Sequence, residues 1–117
     1  LIVDDSKVNL GVAKGLLEEY SINADVAESG MEALKKVGRK HYDLIFMDHM
    51  MPEMDGVETL DRIRNMGEEF KTLPVVLLTA NAVSGIKEQM IDRGFDDYLS
   101  KPIDVEQLQK ILKRYLM

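Results

Sequence analysis

Several polar residues of this chain stand directly behind apolar runs. Asp4 and Asp5 follow residues 1–3, Asp48 follows 44–47, Thr79 follows 74–78, and Ser100 and Lys101 follow 95–99. If those runs are neighbouring strands of one parallel sheet, the polar residues meet at the carboxyl ends of the strands, where open α/β sheets bind their ligands. The cluster would hold three carboxylates, a hydroxyl and an ammonium. Carboxylates packed together repel one another and need a cation to stay ionised. An all-oxygen donor set without Cys or His favours Mg²⁺, Mn²⁺ or Ca²⁺ over zinc. Mg²⁺ keeps part of its water shell for an incoming phosphate. Lys101 and Thr79 can hold phosphoryl oxygens by charge and by hydrogen bond. A carboxylate can itself accept a phosphoryl group as an acyl phosphate. The residue types therefore point to phosphoryl chemistry at a carboxylate.

Each residue alone has a plainer reading. Acids before a helix commonly cap it. A threonine at a strand end is commonly structural, and a lone lysine is commonly solvated. Asp48 can cap the loop that follows it. Their joint placement behind four separate runs carries the argument.

The elements that must position them alternate. The first run is 1–3, and Leu10, Ala13, Leu16, Leu17 and Tyr20 then recur at helical spacing. Residues 23–27 can form a short second strand. Ser29 and Glu32 have capping-box spacing and open a helix to about Lys40, with Ala33, Leu34 and Val37 inward. The run 44–47 is too short for a helix and fits a strand covered on both faces. Asp55 and Glu58 open a third helix with Val57, Leu60 and Ile63 on one stripe. Residues 74–78 form the fourth strand, with Pro74 at its start. A helix over 82–93 places Ile86 and Met90 on one side and ends at Gly94, the expected C′ residue. Residues 95–99 form the fifth strand. Asp104 and Gln107 open the last helix, whose stripe is Val105, Leu108, Ile111, Leu112 and Tyr115. Strands alternating with helices give an α/β fold, (βα)₅, a doubly wound parallel five-stranded sheet.

Composition bounds the rest. The 117 residues fit a single domain. With no cysteine, disulfides, thiolate metal sites and cysteine nucleophiles are excluded. A formal charge of −6 without a basic run argues against nucleic-acid binding. No apolar run reaches the roughly 20 residues of a membrane span, and a cytoplasmic location is expected. Leu1 lies inside an apolar run, so the first strand is expected to be truncated.

The chain resembles the receiver domains of two-component response regulators along essentially its whole length. The matching segments are Leu1-Ile-Val-Asp-Asp5, Asp43-Leu-Ile-Phe-Met-Asp48, Met51-Pro-Glu-Met-Asp-Gly56, Pro74-Val-Val-Leu-Leu-Thr-Ala80 and Gly94-Phe-Asp-Asp-Tyr-Leu-Ser-Lys-Pro102. The resemblance implies a flavodoxin-like sheet of order 2-1-3-4-5. It implies that Asp48 accepts a phosphoryl group from a phosphohistidine on a histidine kinase or phosphotransfer domain. It implies Mg²⁺, or Mn²⁺, on Asp5, Asp48 and the backbone carbonyl of Met50, with Asp4 acting through a water. Lys101 would pair with the phosphoryl group, and its bond to Pro102 would be cis. Thr79 and Tyr98 would form the switch, with Ala80 and Asn81 lining the phosphate pocket. The responding surface would be helix 4, strand 5 and helix 5, roughly 82–117, open to an output domain or partner protein. Such a domain catalyses only its own phosphorylation and dephosphorylation. The segments Ala80-Asn-Ala-Val-Ser-Gly85 and Lys101-Pro-Ile-Asp104 are similar to receivers of hybrid histidine kinases or free-standing receivers.

Met50 and Asn81 depart from the commonest residues at their positions, where side chains influence how water reaches an acyl phosphate. An apolar Met50 cannot orient a water. His41 and His49 lack ligand-spaced partners and read as structural or exposed. Met47, Met50, Met51 and Met54 read as loop and core packing rather than a soft-metal site. Two rival functions remain: a receiver fold that docks without phosphorylation, and an aspartate-based phosphatase. The intact set Asp4, Asp5, Asp48, Thr79 and Lys101 argues against the first. Against the second, such enzymes carry their nucleophile at the first strand with an acid two residues on, where this chain has Ser6.

Overall fold

The computed structural model describes residues 1–80 and 86–116. In chain order the elements are β1 (Ile2–Val3), α1 (Lys7–Glu18), β2 (Val26–Ala27), α2 (Gly30–Arg39), β3 (Ile45–Asp48), α3 (Gly56–Arg64), a 3-10 turn (Glu68–Phe70), β4 (Val75–Thr79), α4 (Ile86–Arg93), β5 (Asp97–Ser100) and α5 (Val105–Leu116). The strands form one sheet of order β2-β1-β3-β4-β5, with every pairing parallel. The expected fold class and strand order are therefore found.

Strand alternation divides the core in two. Val3, Ile45, Met47, Val75 and Leu77 point to one face, where Ala33 and Val37 of α2, Leu60 and Ile63 of α3 and Met90 of α4 cover them. Ile2, Phe46, Val76, Leu78 and Leu99 point to the other, beneath Leu10, Ala13 and Leu17 of α1 and Leu108, Ile111 and Leu112 of α5. This is why the central strands read as unbroken apolar runs: both faces are buried.

The helix starts follow from capping. The hydroxyl of Ser29 accepts from the backbone N–H of Glu32 at 3.1 Å, and the Glu32 carboxylate accepts from the N–H of Glu28 at 3.1 Å. Asp55 accepts from the N–H of Glu58 at 2.9 Å. At α4 the chain ends in a Schellman arrangement: Gly94, with φ +115°, donates to Ile91, and Phe95 donates to Met90.

Several expected boundaries move. The second strand was expected over 23–27 and pairs only at Val26–Ala27, because a strand extends only as far as its partner and β1 offers two residues. The fifth strand was expected from Phe95 and starts at Asp97, because the Schellman turn uses Gly94 and Phe95. Val105 was placed on the inner stripe of the last helix, yet it is 45% exposed; it is the first residue of α5. Asp104 caps that helix through the N–H of Glu106 rather than that of Gln107. The expected start of helix 4 at Ala82 lies outside the described residues.

One tie had no sequence cue. Arg64, at the end of α3, donates to the carbonyls of Phe70 (2.8 Å), Leu73 (2.6 Å) and Gly94 (2.9 Å) and to the Asp96 carboxylate (3.1 Å). It fastens the segments that feed β4 and β5, and so helps to set where Thr79 and Lys101 emerge. Among the described residues, no helix is long and apolar enough to cross a membrane.

Candidate active site at the carboxyl edge of the sheet

Register brings the acids together. Val3 pairs with Met47, so Asp4 and Asp48 leave adjacent strands at the same level. Asp48 pairs with Leu78, and Thr79 with Ser100. The backbone N–H of Lys101 then donates to the Thr79 carbonyl at 2.8 Å, which starts the lysine at the same edge. The Lys101–Pro102 peptide bond is cis.

The side chains converge from there. Lys101 Nζ donates to Asp48 Oδ1 at 2.7 Å and to Asp4 Oδ2 at 3.2 Å. Asp4, Asp5 and Asp48 each offer a carboxylate oxygen within 4.8 Å of the others. Asp4, Asp48 and Thr79 are buried, whereas Asp5 is exposed. Thus residues from three distant segments, which the sequence could place together only by inference, lie around one point. The capping alternative for the adjacent acids goes elsewhere: Ser6 is the N-cap of α1 and accepts from Asn9, while Asp4 accepts from the N–H of Ser6 at 2.9 Å. Asp5 is left at the mouth of the cluster.

The electrostatics follow from this crowding. Burial pushes the Asp48 carboxyl up to about 6; the Lys101 hydrogen bond opposes the rise, and the charge of Asp4 and contact with Asp5 add to it. Burial works against the Lys101 ammonium, but the hydrogen bond and charge of Asp48, with those of Asp4, outweigh it and hold its pKa above the usual lysine value. Three carboxylates face one ammonium, so the site carries excess negative charge. A hard dication bound by oxygen fits that deficit, and the absence of Cys and His from the cluster fits no softer ion.

The other expected residues take the following places. Tyr98 is half-buried against the α2–α4 face of the core. Ala80 is exposed at the end of β4. The Met50 side chain is 73% exposed beside the acceptor strand. Asn81 lies outside the described residues. His49 is half-buried, and His41 is exposed with its Nε2 3.3 Å from Asp43. Met47, Met51 and Met54 are buried, which matches the packing reading.

Gly56 was read only as the residue behind a cap. A Cβ built there would lie 2.3 Å from the Asp48 carbonyl oxygen and 3.2 Å from His49 Cα. Its N–H donates to the His49 carbonyl at 2.9 Å. The loop after Asp48 therefore closes directly onto the acceptor's own backbone. The pair Asp55-Gly56 was the available signal, but nothing local says what the glycine touches.

Known proteins resemble this chain in sequence and fold. The response regulator receiver domain profile matches residues 1–113. The Escherichia coli K12 signal transduction histidine-protein kinase BarA is 37% identical over 115 residues, which is 98% of this chain and 12% of that protein. The chain thus spans about an eighth of the length of that relative. Among solved structures, the receiver domain of sensor histidine kinase PA1611 from Pseudomonas aeruginosa PAO1 superposes with a TM-score of 0.87 at 34% identity, covering 97% of this chain and 93% of that one. That structure has a magnesium ion coordinated in its active-site cleft. Chemotaxis protein CheY4 of Vibrio cholerae superposes with a TM-score of 0.89 at 31% identity, covering 98% and 95%. A profile matched over residues 1–113, the strand order and the acidic cluster agree: this chain belongs to the response regulator receiver domain family.

Proposed function

We propose that the chain is the phosphoacceptor of a two-component phosphorelay. A carboxylate oxygen of Asp48 attacks the phosphorus of a phosphohistidine on a histidine kinase or phosphotransfer domain. The N–P bond breaks, its electron pair returns to the imidazole, and an acyl phosphate forms on Asp48. The observation that carries this reading is the contact of Lys101 with both Asp48 and Asp4 inside a three-carboxylate cluster. Such a transition state asks mainly for alignment and charge neutralisation. Lys101 supplies a positive charge at the attacking carboxylate, and Thr79 a hydroxyl for a phosphoryl oxygen. Asp5, Asp48 and the backbone carbonyl of Met50 would hold Mg²⁺, with Asp4 acting through a bound water. When bound, the ion neutralises phosphoryl oxygens.

Phosphorylation would draw Thr79 toward the phosphoryl group and Tyr98 inward, with Ala80 leaving room beside it. The α4–β5–α5 surface would then read out the state to an output domain or partner. The equilibrium moves only by the difference in contacts between the two states. α1 begins two residues after Asp5 and exposes Val8 and Val12 (75% and 56%), an apolar patch that a partner presenting a phosphohistidine would cover. The likeness to BarA and to the hybrid signal transduction histidine kinase K of Dictyostelium discoideum supports a hybrid histidine kinase as parent, and the cytoplasm is the proposed location.

The test is intact mass after incubation with Mg²⁺ and a small phosphodonor. The expected result is one acid-stable, base-labile phosphoryl group, lost in Asp48→Asn. No addition with any donor would leave a docking module instead, and multiple turnover of an outside phosphate ester would make the chain a phosphatase.

Metal binding should also show in stability. At ten times its Kd, Mg²⁺ is expected to stabilise the fold by about 1.4 kcal/mol, a Tm rise of roughly 5 °C. The gain should shrink below pH 6. The raised pKa of Asp48 means that the folded chain holds this proton more tightly than the unfolded one. That contribution is full below the ordinary carboxyl value of 3.8 and is lost as pH rises through about 6. The metal's gain runs the other way, because the ion must displace the proton. Thermal scans at pH 5.5 and 7.5 with and without Mg²⁺ decide this; equal gains at both would contradict it.

A further inference from the structure

α4 packs along β5, and its second residue, Lys87, sits over the ring of Tyr98 with Nζ 5.1 Å from the ring centroid. The ring is half-buried against the core face covered by α2, α3 and α4, whereas Lys87 is exposed. An ammonium is attracted to the face of an aromatic ring by its quadrupole. Lysine, however, keeps its charged head in water. The contact therefore suits a ring whose face still reaches the surface. Drawing the ring fully inward requires either losing the contact or dragging the ammonium toward the core, and burying an unpaired charge is costly.

We propose that Lys87 is a positioning residue: it holds the Tyr98 ring in its half-buried place and thereby sets how readily phosphoryl binding at Asp48 draws the ring inward. This rests on reading Tyr98 as the switch. The affinity of a ligand that favours one state falls by whatever factor opposes that state. Removing the Lys87 charge should therefore tighten phosphoryl-analogue binding. A cation–π contact at an exposed site corresponds to about a two- to fivefold change.

The experiment titrates the full chain with beryllium fluoride, a tetrahedral stand-in for a carboxyl-bound phosphoryl group, in saturating Mg²⁺. It records the Kd and the NMR signals of ring-labelled tyrosine. The chain has four tyrosines, so Tyr98→Phe assigns the signal. Lys87→Gln is expected to lower the Kd two- to fivefold and to shift the Tyr98 signals toward those of the analogue-saturated protein. Lys87→Arg, which keeps the charge over the ring, should restore both. Lys87→Gln should have no effect in a Tyr98→Leu background. An unchanged or weakened Kd in Lys87→Gln overturns the proposal, and so does an equal change in the Tyr98→Leu background, which marks a general effect of charge on an anion. If instead the Tyr98 signals do not move on saturation and Tyr98→Leu binds like the unaltered chain, the switch reading itself fails and takes the proposal with it.

Discussion

Replacing Lys101 with methionine is expected to slow phosphoryl uptake on Asp48 by about 100- to 1,000-fold, the usual cost of removing one charge-stabilising donor from a transition state. The ammonium lies 2.7 Å from Asp48 and 3.2 Å from Asp4, so its loss removes the cationic partner of two buried carboxylates at once. Breaking a buried pair from one side commonly costs about 3–5 kcal/mol. Here the fold has an escape, because Asp48 already titrates near 6 and can take a proton. With Lys101 gone, two effects that oppose the rise disappear, so the folded pKa of Asp48 climbs further. Its raised value makes the variant relatively sound at low pH and progressively weaker as pH rises through that value. Time courses of intact mass with a phosphodonor, beside urea unfolding at pH 5.5 and 7.5, read both consequences. Uptake within tenfold of the unaltered chain would remove Lys101 from the proposed chemistry. A stability loss equal at the two pH values would show that its pairing with the carboxylates is not what matters.

Gly56→Ala should cost about 3 kcal/mol, the upper end of what overpacking usually brings. Most glycines that resist substitution do so through a left-handed backbone; Gly56 resists through lack of room. The added methyl would meet the carbonyl oxygen of Asp48 at 2.3 Å and two further backbone atoms at 3.2 Å, none of which can rotate away as a side-chain end could. Relief requires the loop after Asp48 to shift, and that loop carries Met50, whose carbonyl is a proposed metal ligand. The expected outcome is a lower urea midpoint with an unchanged m-value, together with weaker Mg²⁺ binding in the fraction that folds. Gly11→Ala is the control. It lies in the exposed part of α1 with nothing within 4 Å, so alanine there should be neutral or gain up to about 1 kcal/mol. If Gly56→Ala behaves like Gly11→Ala, the close approach to Asp48 has no energetic meaning.

Element type was legible wherever burial has a simple period. Ile45–Asp48 and Val75–Thr79 are covered on both faces, so their runs are continuous. Ser29 and Asp55 stand where their caps were expected, because capping is settled within four residues. Boundaries were less legible where pairing is set by a distant partner. The second strand stops at two residues because β1 does, and no residue near Asn23 records that. Val105 fits the helical stripe by spacing but is exposed at the first residue of α5.

The candidate site divides in the same way. The sequence alone determined which side chains stand at strand ends, since that depends on where apolar runs stop, and it determined that their chemistry is carboxylate, hydroxyl and ammonium. Whether they meet depends on register between β1, β3, β4 and β5, a relation among segments up to 97 residues apart that only the assembled sheet decides. The fold alone also decided that Arg64 ties down the approaches to β4 and β5, that Gly56 presses on the acceptor's backbone, and that Lys87 lies over Tyr98. The physical reason is common to all three: local spacing records the period of an element, whereas a contact between elements leaves no periodic trace in either.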